Sequence, residues 1–550
     1  MNKFKTITTY SILAVVTLVA MLVVHKLETR MDDIVETEQL RFTGTVSDAP
    51  PAVAFTSMAL GSFRGIIADI LWLRSEMLKS KKRYFEMVQL ARWITDLQPN
   101  YSGGTAYLAW NLAYNVSVTA SSHEDRWRWV NEGISLVRDK ALVYNPNDPK
   151  LYKELAWIYQ HKVGNVLDDA HNLYKSRMAI ELADIMGSGN PEWEKFAAAP
   201  ANEKEFMAVY GKEHDFWKKA ADCGYKDYEQ LYKAFRRNRK AELPKELVAK
   251  LTGAEFTFAD TYFRARLLRD RLKLDPRRII ELDKKYGKMD WRIPESLAIY
   301  WATMGVERAP GQQDIHCARV ITQSLQAAFR NGRLLNFDNE TFEPHHTVTI
   351  PNVNLADSAY NAYVETQMTY DGDTEHSSFR SARINYLKDA IVLLYTYGNQ
   401  KKAGEFFRKL EKEDGKQKQP DLKSFVVFQL AEDVKDADVK RATAIIDNLI
   451  RQSLLLAILG EQQAAVDQNE LAKEIHAKYV KDNKNVARNR LPAFQIMQQS
   501  VFEDLYRRGN DTIRKGLDRL LKSQAAERAE EQQLNQNINT PAVPGENQGR

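Results

Sequence analysis

At 550 residues the chain has room for several core-sized units or one continuous repeat array, and its 44% hydrophobic and 27% charged content is that of a folded protein. The 78 basic and 73 acidic side chains leave a net charge of only +5, which argues against a dedicated nucleic-acid binder with its concentrated basic surface. Two cysteines, Cys223 and Cys317, are too few for a disulfide framework or a cysteine-rich zinc module.

Residues 1–5 read as a short cytoplasmic end. Thr6 to Val24 is uncharged and rich in Ile, Leu, Val and Ala, and as a helix it spans about 28 Å, close to the thickness of the bilayer hydrocarbon. The small residues that signal cleavage needs are missing from Met21-Leu22-Val23-Val24-His25, so residues 6–24 are expected to remain as a transmembrane signal-anchor. Lys3, Lys5 and the terminal amine outweigh Lys26 and Arg30 by one charge, which places the amino terminus inside. The bulk of the chain is then extracytoplasmic, and periplasmic where the anchoring membrane is an inner membrane. Residues 25–53, with Asp32, Asp33 and Pro50-Pro51, form a polar linker. Phe55 to Leu73 is apolar again, but Arg64 and Asp69 interrupt it; it is expected to be the first buried helix, one that could lie near the membrane surface, rather than a second membrane pass.

Residues 54–185 carry the clearest pattern. From Tyr84 to Leu97, apolar residues at 84, 87/88, 91, 94 and 97 trace one helical stripe that Pro99 closes. A new helix runs from Thr105 to Val116. Trp129 to Tyr144, closed by Asn145-Pro146, is followed by a helix from Leu151 to Tyr159. Six of the ten tryptophans fall between Trp72 and Trp157, which predicts that most of them are core residues and that this is the best-packed stretch.

These segments resemble tetratricopeptide repeats, whose unit is two antiparallel helices in about 34 residues. With Pro99 on the family's closing proline, Tyr84 and Glu86 take preferred sites in a second helix, and Leu108 and Ala109 take the Leu and small-residue sites of the next first helix. Pro146 brings Ala141 onto a characteristic alanine site, and Tyr152, Leu155, Ala156 and Tyr159 follow the first-helix pattern. The chain departs from the family between Pro99 and Pro146, where extra residues around Thr119 to Asp125 read as an inserted loop. The chain is also similar to membrane-anchored bacterial repeat proteins. The resemblance implies an all-α, tetratricopeptide-like α-solenoid whose stacked pairs share a core that no single pair could close.

Further along, residues 186–290 read as an irregular helical insertion and 291–335 as a helix pair, Pro294 to Gly305 and Ile315 to Phe329. Residues 336–380 are rich in loops, with Thr347 to Ile350 the best extended segment. Residues 381–522 resume family-like pairs, turning at Gly398 and Gly460, and residues 523–550 read as a disordered tail.

Chemistry-bearing motifs are sparse. Gly61-Ser62-Phe63-Arg64-Gly65 has its serine one place too early for a nucleophile elbow, and His123-Glu124-Asp125-Arg126-Trp127 lacks the second histidine of a zincin helix. Asp371-Gly372-Asp373-Thr374-Glu375 lacks the turn glycine of a calcium loop, and His345-His346 has no further ligands in view. His161, Asp168 and His171 could meet as a metal cluster if the helix continues, or Asp168 could cap the next helix if Gly164-Asn165 turns. The basic run Arg236-Arg237-Asn238-Arg239-Lys240, flanked by Glu229, Glu242 and Glu246, reads as a solvated helical face.

The resemblance implies a groove lined by the first helices of successive units. On this sequence its positions are Ala106, Trp110, Ala113 and Tyr114, then Lys153, Trp157, Gln160 and His161. Trp110, Tyr114, Lys153, Trp157, Gln160 and His161 are the expected partner-binding residues. The Lys/Asn set that clamps a terminal carboxylate in some relatives is missing, because Trp157 occupies one of its positions. The expected function is therefore a non-enzymatic, membrane-anchored scaffold for protein or peptide partners in the cell envelope. No cofactor, nucleic acid or small-molecule substrate is expected. The competing readings are a metal-dependent enzyme built on His161, Asp168 and His171, and a structural component of an envelope export or assembly complex.

Overall fold

The computed structural model describes residues 63–523 except 188, 239, 309–314, 335–348, 372–377, 415–419, 436–438, 484–489 and 510, together with 16, 19, 23, 26, 27 and 30. His345-His346, most of the acidic loop after Asp371, the tail beyond residue 523 and the linker apart from Lys26, Leu27 and Arg30 lie outside the described residues, as does the anchor apart from Val16, Val19 and Val23; the described residues of anchor and linker are helical and exposed. Among the described residues, no helix is long and apolar enough to cross a membrane.

The chain is all-α. Helices that are neighbours in sequence pack against each other, beginning with Phe63–Ser80 against Tyr84–Leu97. Next, Ser102–Trp110 continues into Asn111–Val116 and packs on His123–Ser135, which itself continues through Leu136–Ala141. Then Pro149–Trp157 runs on through Ile158–Gly164, and the chain turns into His171–Met186. The continuations Asn111–Val116, Leu136–Ala141 and Ile158–Gly164 are π-helical, a wider winding that seldom exceeds a single turn.

Local chemistry sets the ends of these helices. Ser122 accepts the Asp125 amide, and Asp148 accepts the Lys150 amide with Pro149 in the first turn, where a missing N–H costs nothing. The two proline-closed turns are tied together, since the Asn145 side-chain amide donates to the Pro99 carbonyl at 2.6 Å. Gly398 and Gly460 stand at the predicted inter-helix turns, with φ of 75° and 83°, a left-handed conformation that glycine adopts without strain.

Pro149–Trp157 does not hand over only to its chain neighbour; it packs directly on Pro294–Glu307 and Ile315–Asn331. The intervening chain leaves and returns through one point, where the Trp291 amide donates to the Gly189 carbonyl at 2.8 Å. Between these two residues, helices from Trp193–Ala198 to Pro276–Tyr286 surround an aromatic knot centred on the fully buried Phe206, whose ring centroid lies 4.3 Å from that of Tyr262. The later pairs, Ser378–Thr396 with Gln400–Glu413 and Val439–Ile458 with Gln462–Asp482, extend the stack. One contiguous core runs from Leu78 to Leu517. Among the described residues the only sheet is Arg333–Leu334 paired antiparallel with Thr349–Ile350, the latter being the second half of the predicted extended segment.

Two packing expectations hold only in part. The first helix buries only one side, with Ala68, Ser75 and Leu78 inside, whereas Ile66, Ile70, Leu73 and Met77 form a stripe more than half exposed. Spacings of three and four residues put all four on one face, and no described element covers that face. Of the six clustered tryptophans, Trp129 is buried and Trp72, Trp127 and Trp157 are half-buried against the core, as expected of most of them, whereas Trp93 and Trp110 are exposed and the deepest tryptophan in the chain is Trp291.

Candidate interaction surface

The first helices of the three leading pairs share one face, and aromatic rings join them there. Trp72 on Phe63–Ser80 meets Tyr107, with centroids 5.7 Å apart. Tyr107 stacks on Trp110 at 6.4 Å, and Trp110 stacks on Tyr114 at 5.7 Å. From Tyr114 the chain of contacts crosses to the third pair, where His161 lies 5.8 Å away and stacks on Trp157 at 4.4 Å. The Tyr114 hydroxyl and His161 Nδ1 share a hydrogen bond of 3.3 Å.

Both i,i+4 stacks involve the π-helical stretches, because Tyr114 lies in Asn111–Val116 and His161 in Ile158–Gly164. Insertions of this winding are frequently found at functional sites. Burial pushes the Tyr114 hydroxyl far above the ordinary tyrosine range, with nearby Glu154 adding to the shift. Burial, and secondarily the neighbouring Lys162 ammonium, lowers the His161 pKa, so the imidazole is neutral at pH 7. The surface is thus apolar and uncharged along its centre.

Cations flank it. Lys79 Nζ lies 5.8 Å from the Tyr107 centroid and Lys153 Nζ 5.8 Å from the Trp157 centroid. Lys153 also reaches Glu154 Oε2 at 3.1 Å, while Glu154 Oε1 is buried without a hydrogen-bond partner. Lys162 lies beneath, only 3% exposed at its side chain, and its ammonium is 2.6 Å from Asp168 Oδ2. Apolar or planar groups can lie along such rings, and the flanking lysines already face carboxylates, Lys79 that of Glu76 at 3.7 Å and Lys153 that of Glu154.

Five of the six predicted groove residues are therefore together: Trp110, Tyr114, Lys153, Trp157 and His161. Gln160 is not. It is 6% exposed, and its Nε2 reaches the Val320 carbonyl at 3.4 Å and Gln323 Oε1 at 3.3 Å, so it ties the third pair to Ile315–Asn331. Ala113 is likewise fully buried, at the approach to Gly133. A regular 3.6-residue period places position 160 on the groove; the π-helical widening is one reason the register differs. Sequence reasoning missed Trp72 and Tyr107, which extend the surface onto the first pair. For Tyr107 the i,i+3 spacing to Trp110 was the available signal; Trp72 reaches Tyr107 only through the fold.

His161, Asp168 and His171 do not converge. The chain turns after Gly164, and Asp168 accepts from the Ala170 amide at 2.9 Å, Lys162 Nζ at 2.6 Å and the Tyr174 hydroxyl at 3.1 Å. His171 Nδ1 is buried with no hydrogen-bond partner, and its pKa is lowered by burial, then by Lys175, against an opposing pull from Asp168. Among the described residues, no group of three His, Cys, Asp or Glu side chains is placed to hold a metal ion. His123 and Arg126 both contact the Asp169 carboxylate, tying the second pair to the turn before the next helix.

The chain matches no protein-family model, no curated protein and no solved structure.

Proposed function

We propose that this protein is a membrane-anchored, tetratricopeptide-like scaffold that holds a protein or peptide partner against the aromatic face built by Trp72, Tyr107, Trp110, Tyr114, Trp157 and His161. The observation that carries the reading is the convergence of first helices from three successive pairs on one unbroken run of rings. Trp110 is 37% and Tyr107 43% exposed, more than core packing requires, and Trp and Tyr are the side chains that dominate interface energetics. The repeat assignment rests on pairs nested in sequence order and on the proline- and glycine-closed turns. The anchor assignment rests on the uncharged Thr6 to Val24 run.

Photocrosslinking in intact cells tests the proposal. A photoreactive residue at position 110 or 157 should give discrete crosslinked bands, whereas one at Phe85, on a second helix, should not give the same bands. The combined substitution Trp110→Ala, Lys153→Ala, Trp157→Ala should weaken capture by roughly 2 kcal/mol or more, the scale of a hot-spot aromatic, with little change in thermal stability. Unchanged bands in the triple variant would remove the aromatic face from consideration.

A further inference from the structure

The basic run at Arg236 is solvent-exposed, as expected, and its first two arginines also line a cleft. Where Leu136–Ala141 and His171–Met186 meet the ends of Tyr228–Arg237 and Gly253–Arg271, the chain forms a cleft of about 800 Å³. That volume is in the range of small-ligand sites. Six cationic and four anionic side chains line it.

The carboxylates are already engaged. Asp139 accepts both forks of Arg138 at 2.7 and 2.8 Å, and Glu181 accepts Arg271 at 2.8 Å. Asp270 accepts Arg266 Nε and the Tyr232 hydroxyl, each at 2.7 Å, and Asp184 is buried with its interactions made. Of the cations, Arg177 turns to Glu124. Arg236, Arg237 and Lys273 have no carboxylate partner among the described residues, and Arg236 lies over the Tyr232 ring at 5.7 Å.

Arginines in the last turn of a helix offset its dipole, a preference worth a few tenths of a kcal/mol that any solvated orientation would satisfy. It does not explain why a second element brings Lys273 to the same mouth. Lys273 has φ of 56°, in the left-handed region that side chains other than glycine rarely adopt, and Ala241, in the turn after the basic run, has φ of 48°. Lys273 lines the cleft itself, and Ala241 follows three residues after Asn238, which also lines it. Strain of this kind concentrates at ligand clamps.

We propose that the cleft binds a compact phosphate-bearing anion, clasped by Arg236, Arg237 and Lys273 with Arg138 in the wall. Three cations around one opening, without a carboxylate partner among the described residues, suit a ligand that concentrates several negative charges in a small volume. Phosphate oxygens also match the planar guanidinium fork. The same chemistry is offered by a soluble phosphate ester and by a phospholipid headgroup.

Titration calorimetry on the full chain in a neutral detergent, with tripolyphosphate as probe, tests this. Saturable one-site binding is expected, weakening as salt is raised. Arg236→Ala with Arg237→Ala and Lys273→Ala should weaken it by about 30-fold or more, since each lost charge-assisted hydrogen bond is worth on the order of tenfold. All three side chains are exposed, so the fold should survive; an unchanged melting transition verifies that, and Arg236→Lys with Arg237→Lys should restore part of the affinity. Displacement of tripolyphosphate by phosphatidylglycerol bicelles, but not by phosphatidylcholine bicelles, assigns the phosphate to a lipid headgroup; no displacement by either assigns it to a soluble ester. Wild-type affinity in the triple variant, absence of saturable binding, or equal affinity for citrate would each overturn the proposal.

Discussion

Asp283, in the last turn of Pro276–Tyr286, accepts the Met289 amide at 3.2 Å and the indole N–H of the fully buried Trp291 at 3.1 Å, both through Oδ1. Burial is the largest influence on its carboxyl and pushes the pKa up to about 6; the two hydrogen bonds pull the other way and lose. Unfolded, the group titrates near the ordinary aspartate value of 3.8. Below that pH both states are protonated and the residue costs nothing. As pH rises toward 6 the unfolded chain ionises while the folded one holds its proton, so stability falls, and above about 6 the whole cost is present. Asp283→Asn keeps the Oδ1 acceptor and removes the titration. It should stabilise the protein at pH 7.5 by roughly 1 kcal/mol, discounted for partial solvation, and have little effect at pH 4. Thermal melts at the two pH values decide it; an equal shift at both would mean that the gain is not electrostatic.

At the scale of elements, close helix approach is set by single glycines. A Cβ on Gly133 would sit 2.7 Å from the Ala109 carbonyl oxygen and 3.2 Å from the Ala113 Cβ; one on Gly305 would sit 2.7 Å from Cys317 Sγ and 2.9 Å from the Tyr152 Cβ. Backbone and Cβ atoms cannot rotate away, so the helices themselves must part. Gly133→Ala and Gly305→Ala should each cost about 1–3 kcal/mol. Gly253→Ala, with nothing within 4 Å, should be neutral or stabilising by up to about 1 kcal/mol. Urea midpoints at constant slope read all three, and a midpoint for Gly133→Ala equal to the wild type would refute the close approach. Much at this scale was legible beforehand. Pro99, Asn145-Pro146, Gly398 and Gly460 fix helix ends through local sterics, and Leu108, Ala109, Leu155 and Ala156 fix the buried faces through period. The illegible part is non-local. Nothing in Asn111 to Val116 or Ile158 to Gly164 announces a π-helical winding, and the burial of Gln160 depends on Val320 and Gln323, more than 150 residues away. The outward face of Ile66, Ile70, Leu73 and Met77 has the composition of a buried helix, so composition alone could not distinguish the two.

For the whole molecule, the decisive contact is Pro149–Trp157 against Pro294–Glu307, which makes residues far apart in sequence into adjacent layers. The chain between them enters and leaves at Gly189 and Trp291, already hydrogen bonded, and carries an aromatic cluster around Phe206, Tyr262 and Phe263 that is continuous with the rest of the core. Arg264 fastens that module to the stack from outside, donating to the Asp184 and Ile185 carbonyls at 2.9 and 3.0 Å, the last turn of His171–Met186. In a quasi-one-dimensional array, stability is the sum of local units and nearest-neighbour interfaces. On the repeat reading proposed above, a module whose chain ends meet at one hydrogen bond should be separable once its remaining ties, such as the Asp275 amide to Tyr300 and Arg278 to Glu307, are cut. Replacing residues 191–288 with a short Gly/Ser linker should leave a helical, cooperatively unfolding protein. Its melting point should be lower, because Trp291 loses Trp193 and the end of His171–Met186 loses Arg264. Crosslinking through position 110 should persist in that variant, while tripolyphosphate binding, which needs Arg236, Arg237 and Lys273, should vanish. Loss of the cooperative transition would show that the excursion is part of the stack itself, and that the two layers it connects do not hold each other unaided.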